Sequence, residues 1–290
     1  MEKNTSYTIG EILIKSEGYL RKKRIKNPRL EAELLLSFVH STDRLWIYTN
    51  WFEKIRDDKL ERLRQLLLRR TKGEPLHYIL GYKEFMTLRF YLQPGVLIPR
   101  FETEELVEKV VEDSRKGNFR VFADIGCGSG VIAISIAKFV ENSTVYATDI
   151  SDKAIKLTAE NAEVNGVENK VKIFKGNLLE PLEPFIDQIE VFVSNPPYVN
   201  HEEWKSLDEE IVKYEPKEAL LAPEDGLFYY RAIIENLLKN RTRNKGKLIY
   251  FEISPTRIEG VKKLIKRLKI ERYEVLNDMS EKARILKIVL

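Results

Sequence analysis

Two short stretches carry residue types suited to chemistry. The first is Asn195-Pro196-Pro197-Tyr198, at the end of the apolar run Val191-Phe192-Val193-Ser194. Prolines lack a backbone N–H and have a fixed φ, so a pair of them ends a strand and leaves carbonyl oxygens free. Asn195 adds a side-chain acceptor, and Tyr198 a flat face with a hydroxyl. The carbonyls of Asn195 and Pro196 can together take both hydrogens of a planar NH2 group. That aims the nitrogen at an electrophile and favours loss of planarity. In-line displacement then needs mainly positioning, with stabilisation of the charge developing on nitrogen. No side-chain nucleophile is required, and no strong base before attack, because the proton turns acidic only as the N–C bond forms.

The second stretch is Asp124-Ile125-Gly126-Cys127-Gly128-Ser129-Gly130, which follows Val121-Phe122-Ala123 and precedes an apolar helical run from Val131. Glycines there permit a tight turn and close approach of a ligand to the backbone. The pattern is D-x-G-x-G-x-G. Val131 stands where a dinucleotide fingerprint needs its last small residue, and there is no G-x-x-x-x-G-K-[ST]. Asp124 would repel a pyrophosphate and attract a ligand carrying an ammonium and a sulfonium group. The next strand ends in Asp149, which can accept both hydroxyls of a ribose. Cys127 reads as a small filler, since no base stands beside it to make it a nucleophile.

The elements that must hold these residues alternate. Strand-like runs at Val121–Asp124, Thr144–Asp149, Val171–Lys175, Val191–Ser194, Leu248–Glu252, Glu274–Leu276 and Ile285–Leu290 are separated by helical segments. This argues for a mainly parallel sheet covered on both faces. Upstream, residues 1 to about 85 read as four or five short helices. Asn27 is placed as an N-cap with Pro28 at the first helical position, and further stripes run over Arg29–His40 and Asp57–Thr71. From Tyr82 to Val96 the period changes to that of a hairpin. The expected organisation is a helical domain over 1–82, a hairpin linker over 83–97 and an α/β domain over 98–290.

Composition narrows the class. The 290 residues are 43% hydrophobic and 32% charged, enough apolar material for a sizeable core. One cysteine excludes an intramolecular disulfide framework and a cysteine-cluster metal site; three scattered histidines argue against a zinc site. No metal is expected. No run approaches a membrane span, and the start lacks a basic segment followed by an apolar one, so a cytoplasmic protein with no membrane partner is expected. Residues 1–90 hold 19 Lys+Arg against 12 Asp+Glu, whereas the remainder holds 30 against 33. The clusters Arg21–Arg29 and Arg62–Arg70 therefore read either as a solvated surface or as a docking face for an acidic partner, protein or RNA.

The glycine loop resembles motif I of the class I S-adenosylmethionine methyltransferases, a Rossmann-like fold built on a seven-stranded, mainly parallel sheet. The resemblance implies that Asp124, Gly126, Cys127, Gly128, Ser129 and Gly130 hold the methionine part of the cofactor. It assigns Asp149 and Ile150 to the ribose, and Asn177 and Leu178 to the adenine. Asn177 stands where many relatives have Asp. Asn-Pro-Pro-Tyr alone is shared by amide, adenine-N6 and guanine-N2 methyltransferases. Further stretches decide between these: Gly73 to Gly81, Val96 to Val107 with its Ile98-Pro99-Arg100-Phe101-Glu102-Thr103-Glu104, and Tyr214 to Leu220 followed by Gly226-Leu227. These resemble the HemK/PrmC family of peptide chain release factor N5-glutamine methyltransferases over nearly the whole chain. Phe101 departs from the family's usual proline.

The family resemblance implies methyl transfer from S-adenosylmethionine, with S-adenosylhomocysteine as product, to the glutamine amide of a Gly-Gly-Gln tripeptide in a release factor. Asn195, Pro196, Pro197 and Tyr198 would carry catalysis and substrate binding, Asn195 would also border the cofactor, and Phe101 and Thr103 would close over its methionine end. An RNA or DNA exocyclic-amine methyltransferase is the enzymatic alternative, with no recognisable RNA-binding module to support it. A non-catalytic cofactor-binding scaffold is the other. His201, three residues past the tetrapeptide, is a further candidate for collecting a proton.

Overall fold

The computed structural model describes residues 7–239 and 244–290, so the first six residues of the start read above lie outside the described residues. The chain divides into two compact units, Met1–Gly81 and Tyr82–Leu290.

The first unit is helical: α1 (Ile9–Lys22), α2 (Pro28–His40), α3 (Arg44–Thr49), α4 (Asp57–Thr71) and α5 (Leu76–Leu80). Thr8 and Glu11 form a reciprocal capping box that starts α1. Pro28 opens α2 as expected, but the Asn27 side chain makes no capping hydrogen bond. Leu13, Leu20, Leu35, Leu36 and Val39 form a dry core. Part of the two basic clusters is taken up by ion pairs. Arg70 is buried and pairs with Glu31 at 2.6 Å. Arg29 pairs with Glu33 at 2.7 Å and Glu17 at 3.2 Å, and Arg69 pairs with Glu74. Charge count alone overstates the free basic surface, because several of these arginines hold the helices together. Lys22, Lys23 and Arg24 remain exposed.

The second unit opens with a hairpin, β1 (Tyr82–Phe85) and β2 (Leu88–Tyr91), followed by α6 (Glu102–Gly117), β3 (Val121–Ile125), α7 (Val131–Phe139), β4 (Thr144–Asp149), α8 (Asp152–Val164), β5 (Val171–Lys175) and β6 (Val191–Ser194). After β6 come α9 (His201–Trp204), α10 (Glu209–Tyr214), α11 (Phe228–Leu238), β7 (Leu248–Glu252), α12 (Ile258–Arg267), β8 (Arg272–Asn277) and β9 (Ala283–Val289). An isolated hairpin is marginal in water. This one is tied down by Asn161 of α8, whose side chain bonds both the N–H and the carbonyl of Tyr91 and also reaches the Ser129 carbonyl. It is part of the second unit.

The sheet has the order β5-β4-β3-β6-β7-β9-β8. β3 to β7 pair in parallel, while β9 runs antiparallel to both β7 and β8. β6 and β7 are buried along their whole length, as strands covered on both faces must be. α6, α7 and α8 contribute to the core on one face, and α11 and α12 to that on the other. β8 extends beyond the expected Glu274–Leu276; at the sheet edge four of its six residues are exposed, which weakens the apolar signal. The sheet order reverses between β3 and β6, so the crevice at their carboxyl ends is where such a fold takes ligands. No helix among the described residues is long and apolar enough to cross a membrane.

Candidate active site

The glycine loop turns at the end of β3, where the N–H groups of Gly126 and Cys127 both donate to the Thr148 carbonyl of β4. Gly130 adopts φ +85°, and a Cβ there would lie 2.8 Å from the Ile134 side chain and 2.9 Å from that of Thr158. Only glycine fits. Asp149 accepts from the N–H of Gly128 and the N–H of Ser151, each at 2.9 Å. Each carboxylate oxygen thus keeps a lone pair for a hydroxyl. Asp124 is completely buried; its Oδ2 accepts from the Ala133 N–H at 3.0 Å, and its Oδ1 has no hydrogen-bond partner among the described residues. Burial, with a smaller push from Asp149, moves its carboxyl up to about 7. An orphaned buried carboxylate oxygen beside a glycine cradle fits a cationic ligand group, and Asp149 fits a vicinal diol.

Other residues expected around a cofactor are more scattered. Ser129 is buried, Ile150 is 67% exposed, and Asn177 is exposed with its NH2 on Glu180. The Leu178 carbonyl accepts from Thr148, which ties the end of β5 to β4. Cys127 is buried and its thiol is pushed well up, so no thiolate forms.

Across the switch point, the Ser194 hydroxyl donates to the Ile125 carbonyl at 2.6 Å and joins the end of β6 to the glycine loop. Asn195 follows. Its Nδ2 donates to the Thr103 hydroxyl at 3.2 Å, and that hydroxyl donates to Glu252 Oε2 at 2.6 Å. Thr103 is 2% exposed and Phe101 61% exposed. Glu252 ends β7 at 1% exposure; burial moves it up to about 7 against the pull of the Thr103 hydrogen bond and of Arg284. Sequence reasoning passed over Glu252. The available signal was a carboxylate closing the wholly apolar run Leu248-Ile249-Tyr250-Phe251, a place where an acid is rarely buried without a task.

The tetrapeptide is braced from outside. Arg257 Nε donates to the Tyr198 carbonyl at 2.9 Å and its guanidinium pairs with Glu203. Gly226 has φ +81°, and a Cβ there would sit 2.5 Å from the Tyr198 carbonyl. Val199 bonds Leu220 and Ala222 through its backbone. The Tyr198 phenol is pushed up to about 12, mainly by burial and then by Glu252, so it stays neutral. Buried Glu215 receives the Ile98 N–H at 3.2 Å and Arg100 at 2.7 Å, which fixes the Ile-Pro-Arg segment from 115 residues away. His201, the first residue of α9, is exposed. Among the described residues no group of His, Cys, Asp and Glu is arranged to hold a metal.

Six strands running one way, a switch point with a D-x-G-x-G-x-G loop and a single reversed strand next to the edge define a class I S-adenosylmethionine-dependent methyltransferase. Solved structures share this fold: the hMettl16 catalytic domain in complex with MAT2A 3′UTR hairpin 6 (TM-score 0.55, 17% identity, 81% of this chain and 82% of that one). A second is the N-terminal domain of human METTL16 in complex with SAH (TM-score 0.51, 17% identity, 80% and 82%).

Sequence comparison narrows the class. Residues 11–81 match the PrmC N-terminal domain and residues 101–223 the methyltransferase small domain. The release factor glutamine methyltransferase of Clostridium botulinum is 36% identical over 277 residues, 96% of this chain and 97% of that protein. That of Geobacter sulfurreducens is 40% identical over 233 residues, 80% of each. The chain belongs to the release factor glutamine methyltransferase family, and its cofactor is S-adenosylmethionine.

Proposed function

We propose that this chain methylates the side-chain amide nitrogen, N5, of the glutamine in the Gly-Gly-Gln motif of peptide chain release factors. The observation that carries the reading is the orientation of Asn195. Its NH2 is engaged by Thr103, which leaves Oδ1 as an acceptor at the end of β6. With the Pro196 carbonyl it can take both hydrogens of a glutamine amide and hold the nitrogen for in-line transfer. Pro197 fixes the backbone, and Tyr198 supplies a neutral, half-buried face beside it. S-adenosylmethionine, when bound, supplies an electrophilic methyl group. Asp124 and the loop Gly126–Gly130 would hold its methionine part, Asp149 and Ile150 its ribose, Asn177 and Leu178 its adenine, and Phe101 would cover it.

Gly-Gly-Gln alone is too small to select a release factor, so the helical unit is assigned the docking role, with exposed Lys22, Lys23 and Arg24 as its steering charges. Incubation with labelled S-adenosylmethionine and purified release factor, rRNA, tRNA or DNA tests the substrate. Label on the factor, lost when its Gln is replaced, is expected; label on nucleic acid alone would replace this reading. Reversal of the three charges should slow transfer to the intact factor about threefold to tenfold at low salt and less at high salt, since exposed charges steer encounter and are screened. An equal rate at both ionic strengths would move docking elsewhere.

A further inference from the structure

We propose that Glu252 and Thr103 are positioning residues that set which end of the Asn195 amide faces the substrate, and so select an NH2 group as the acceptor of the methyl. The inference rests on the proposed role of Asn195. It follows from the direction of two hydrogen bonds. An ionised carboxylate only accepts, so the one hydrogen of the Thr103 hydroxyl goes to Glu252, at 2.6 Å. The hydroxyl oxygen then has only lone pairs to offer, and what it meets at 3.2 Å must be the NH2 of Asn195. Oδ1 is left to face the opposite way, where a planar NH2 presents its hydrogens. Turned over, the same amide would set NH2 against NH2, and the acceptor nitrogen would have no partner.

The three residues come from α6, the loop after β6 and the end of β7; Thr103 is 92 residues from Asn195 and 149 from Glu252. Glu252 and Thr103 are each within 2% of complete burial. In a dry site a charge-assisted bond of this kind is strong and directional, so the polarity is fixed at its buried end. The charged and titratable groups that act on Glu252 are Arg100 and Glu102 near the start of α6, Tyr198 of the tetrapeptide, Tyr230 of α11 and Arg284 of β9. None of them replaces Thr103 as its side-chain hydrogen-bond donor. A protonated Glu252 can donate to Thr103, which can then donate to Asn195 Oδ1 and invert the chain. Because burial moves this carboxyl up to about 7, turnover at saturating cofactor should fall as pH drops below that value.

The test uses the full-length protein with Thr103→Val, Thr103→Ser, Glu252→Gln, Asn195→Ala and the Thr103→Val/Asn195→Ala pair. Turnover and S-adenosylmethionine affinity are measured on the same samples, so retained affinity certifies the fold. Thr103→Val should lower kcat about tenfold to a hundredfold, the scale of a slight misplacement of a reacting group, with affinity unchanged. Thr103→Ser should restore turnover. In the Asn195→Ala background, Thr103→Val should cost nothing further, because it acts only through Asn195. Glu252→Gln should lack the acid limb of the kcat profile. Additive losses, an acid limb that survives in Glu252→Gln, or a Thr103→Val defect confined to cofactor affinity would each overturn the proposal; the last would make Thr103 a cofactor contact. If the wild-type enzyme labels nucleic acid and no release factor, the proposed substrate fails, but the same ratios are read with that acceptor, whose exocyclic NH2 makes the same demand on Asn195.

Discussion

The two sides of the switch point hold their polar groups by different means. On the side of β3 and β4, Asp124 and Asp149 are fixed by backbone N–H groups no more than 21 residues away: Ala133, Gly128 and Ser151. On the side of β6 and β7, Asn195 is fixed by a side chain that is itself fixed by another side chain, across separations of 92 and 149 residues. Backbone donors have one polarity and cannot be turned over. A hydroxyl and an amide can. The first side is therefore suited to grip a ligand whose shape does not change from one substrate to another. The second can be set, by one buried carboxylate, to distinguish a donor from an acceptor.

The largest expected effect tests that division directly. Asn195→Ala should lower turnover about a hundredfold to a thousandfold, the usual loss when one positioned polar contact is removed from a closed site. S-adenosylmethionine affinity measured by calorimetry should stay near wild type. Equal losses in affinity and turnover would mean that the two sides are not separate.

Asp149→Ala should do the converse. A buried hydroxyl left without its acceptor costs about 1–3 kcal/mol, which is roughly fivefold to 150-fold in dissociation constant. Turnover at saturating cofactor should change much less. An unchanged dissociation constant would remove Asp149 from the ribose role.

The same contrast explains what could be read from the chain alone. β4, β5, β6 and β7 lie where the sequence places them; for β6 and β7 the reason is that a strand buried on both faces writes itself as a hydrophobic segment. The glycine loop and the acid ending β4 are contiguous or nearly so, and a local pattern carries them. The tetrapeptide was legible for the same reason, but its supports were not. Nothing near Asn195 in sequence points to Thr103, and nothing near Thr103 points to Glu252. Thr103 is buried and bonded to Asn195, a contact that no local pattern announces. The basic clusters misled in another way. Arg29 and Arg70 count as surface charge in a sequence, but in the fold they neutralise Glu33 and Glu31.

A smaller effect probes the backbone-held side through pH. In the free protein Asp124 titrates at about 7, raised from 3.8 first by burial. A carboxyl shifted upward favours the folded state most at low pH, and that contribution is lost as pH rises through 7. A cationic ligand group needs the ionised form, so protons and ligand compete for the same oxygen. Affinity for S-adenosylmethionine should therefore rise between pH 5.5 and about 7, by at most roughly tenfold per unit, and level off above. The rise in Tm on adding cofactor should grow over the same window, because the free protein loses stability there while the complex gains affinity. Asp124→Asn, which removes the titration and keeps the shape, should bind more weakly at pH 7.5 and show an affinity nearly flat with pH. If the slope persists in Asp124→Asn, the titrating group lies elsewhere, with Asp149, also raised by burial, the next to replace, and the orphaned oxygen of Asp124 does not meet the ligand's charge.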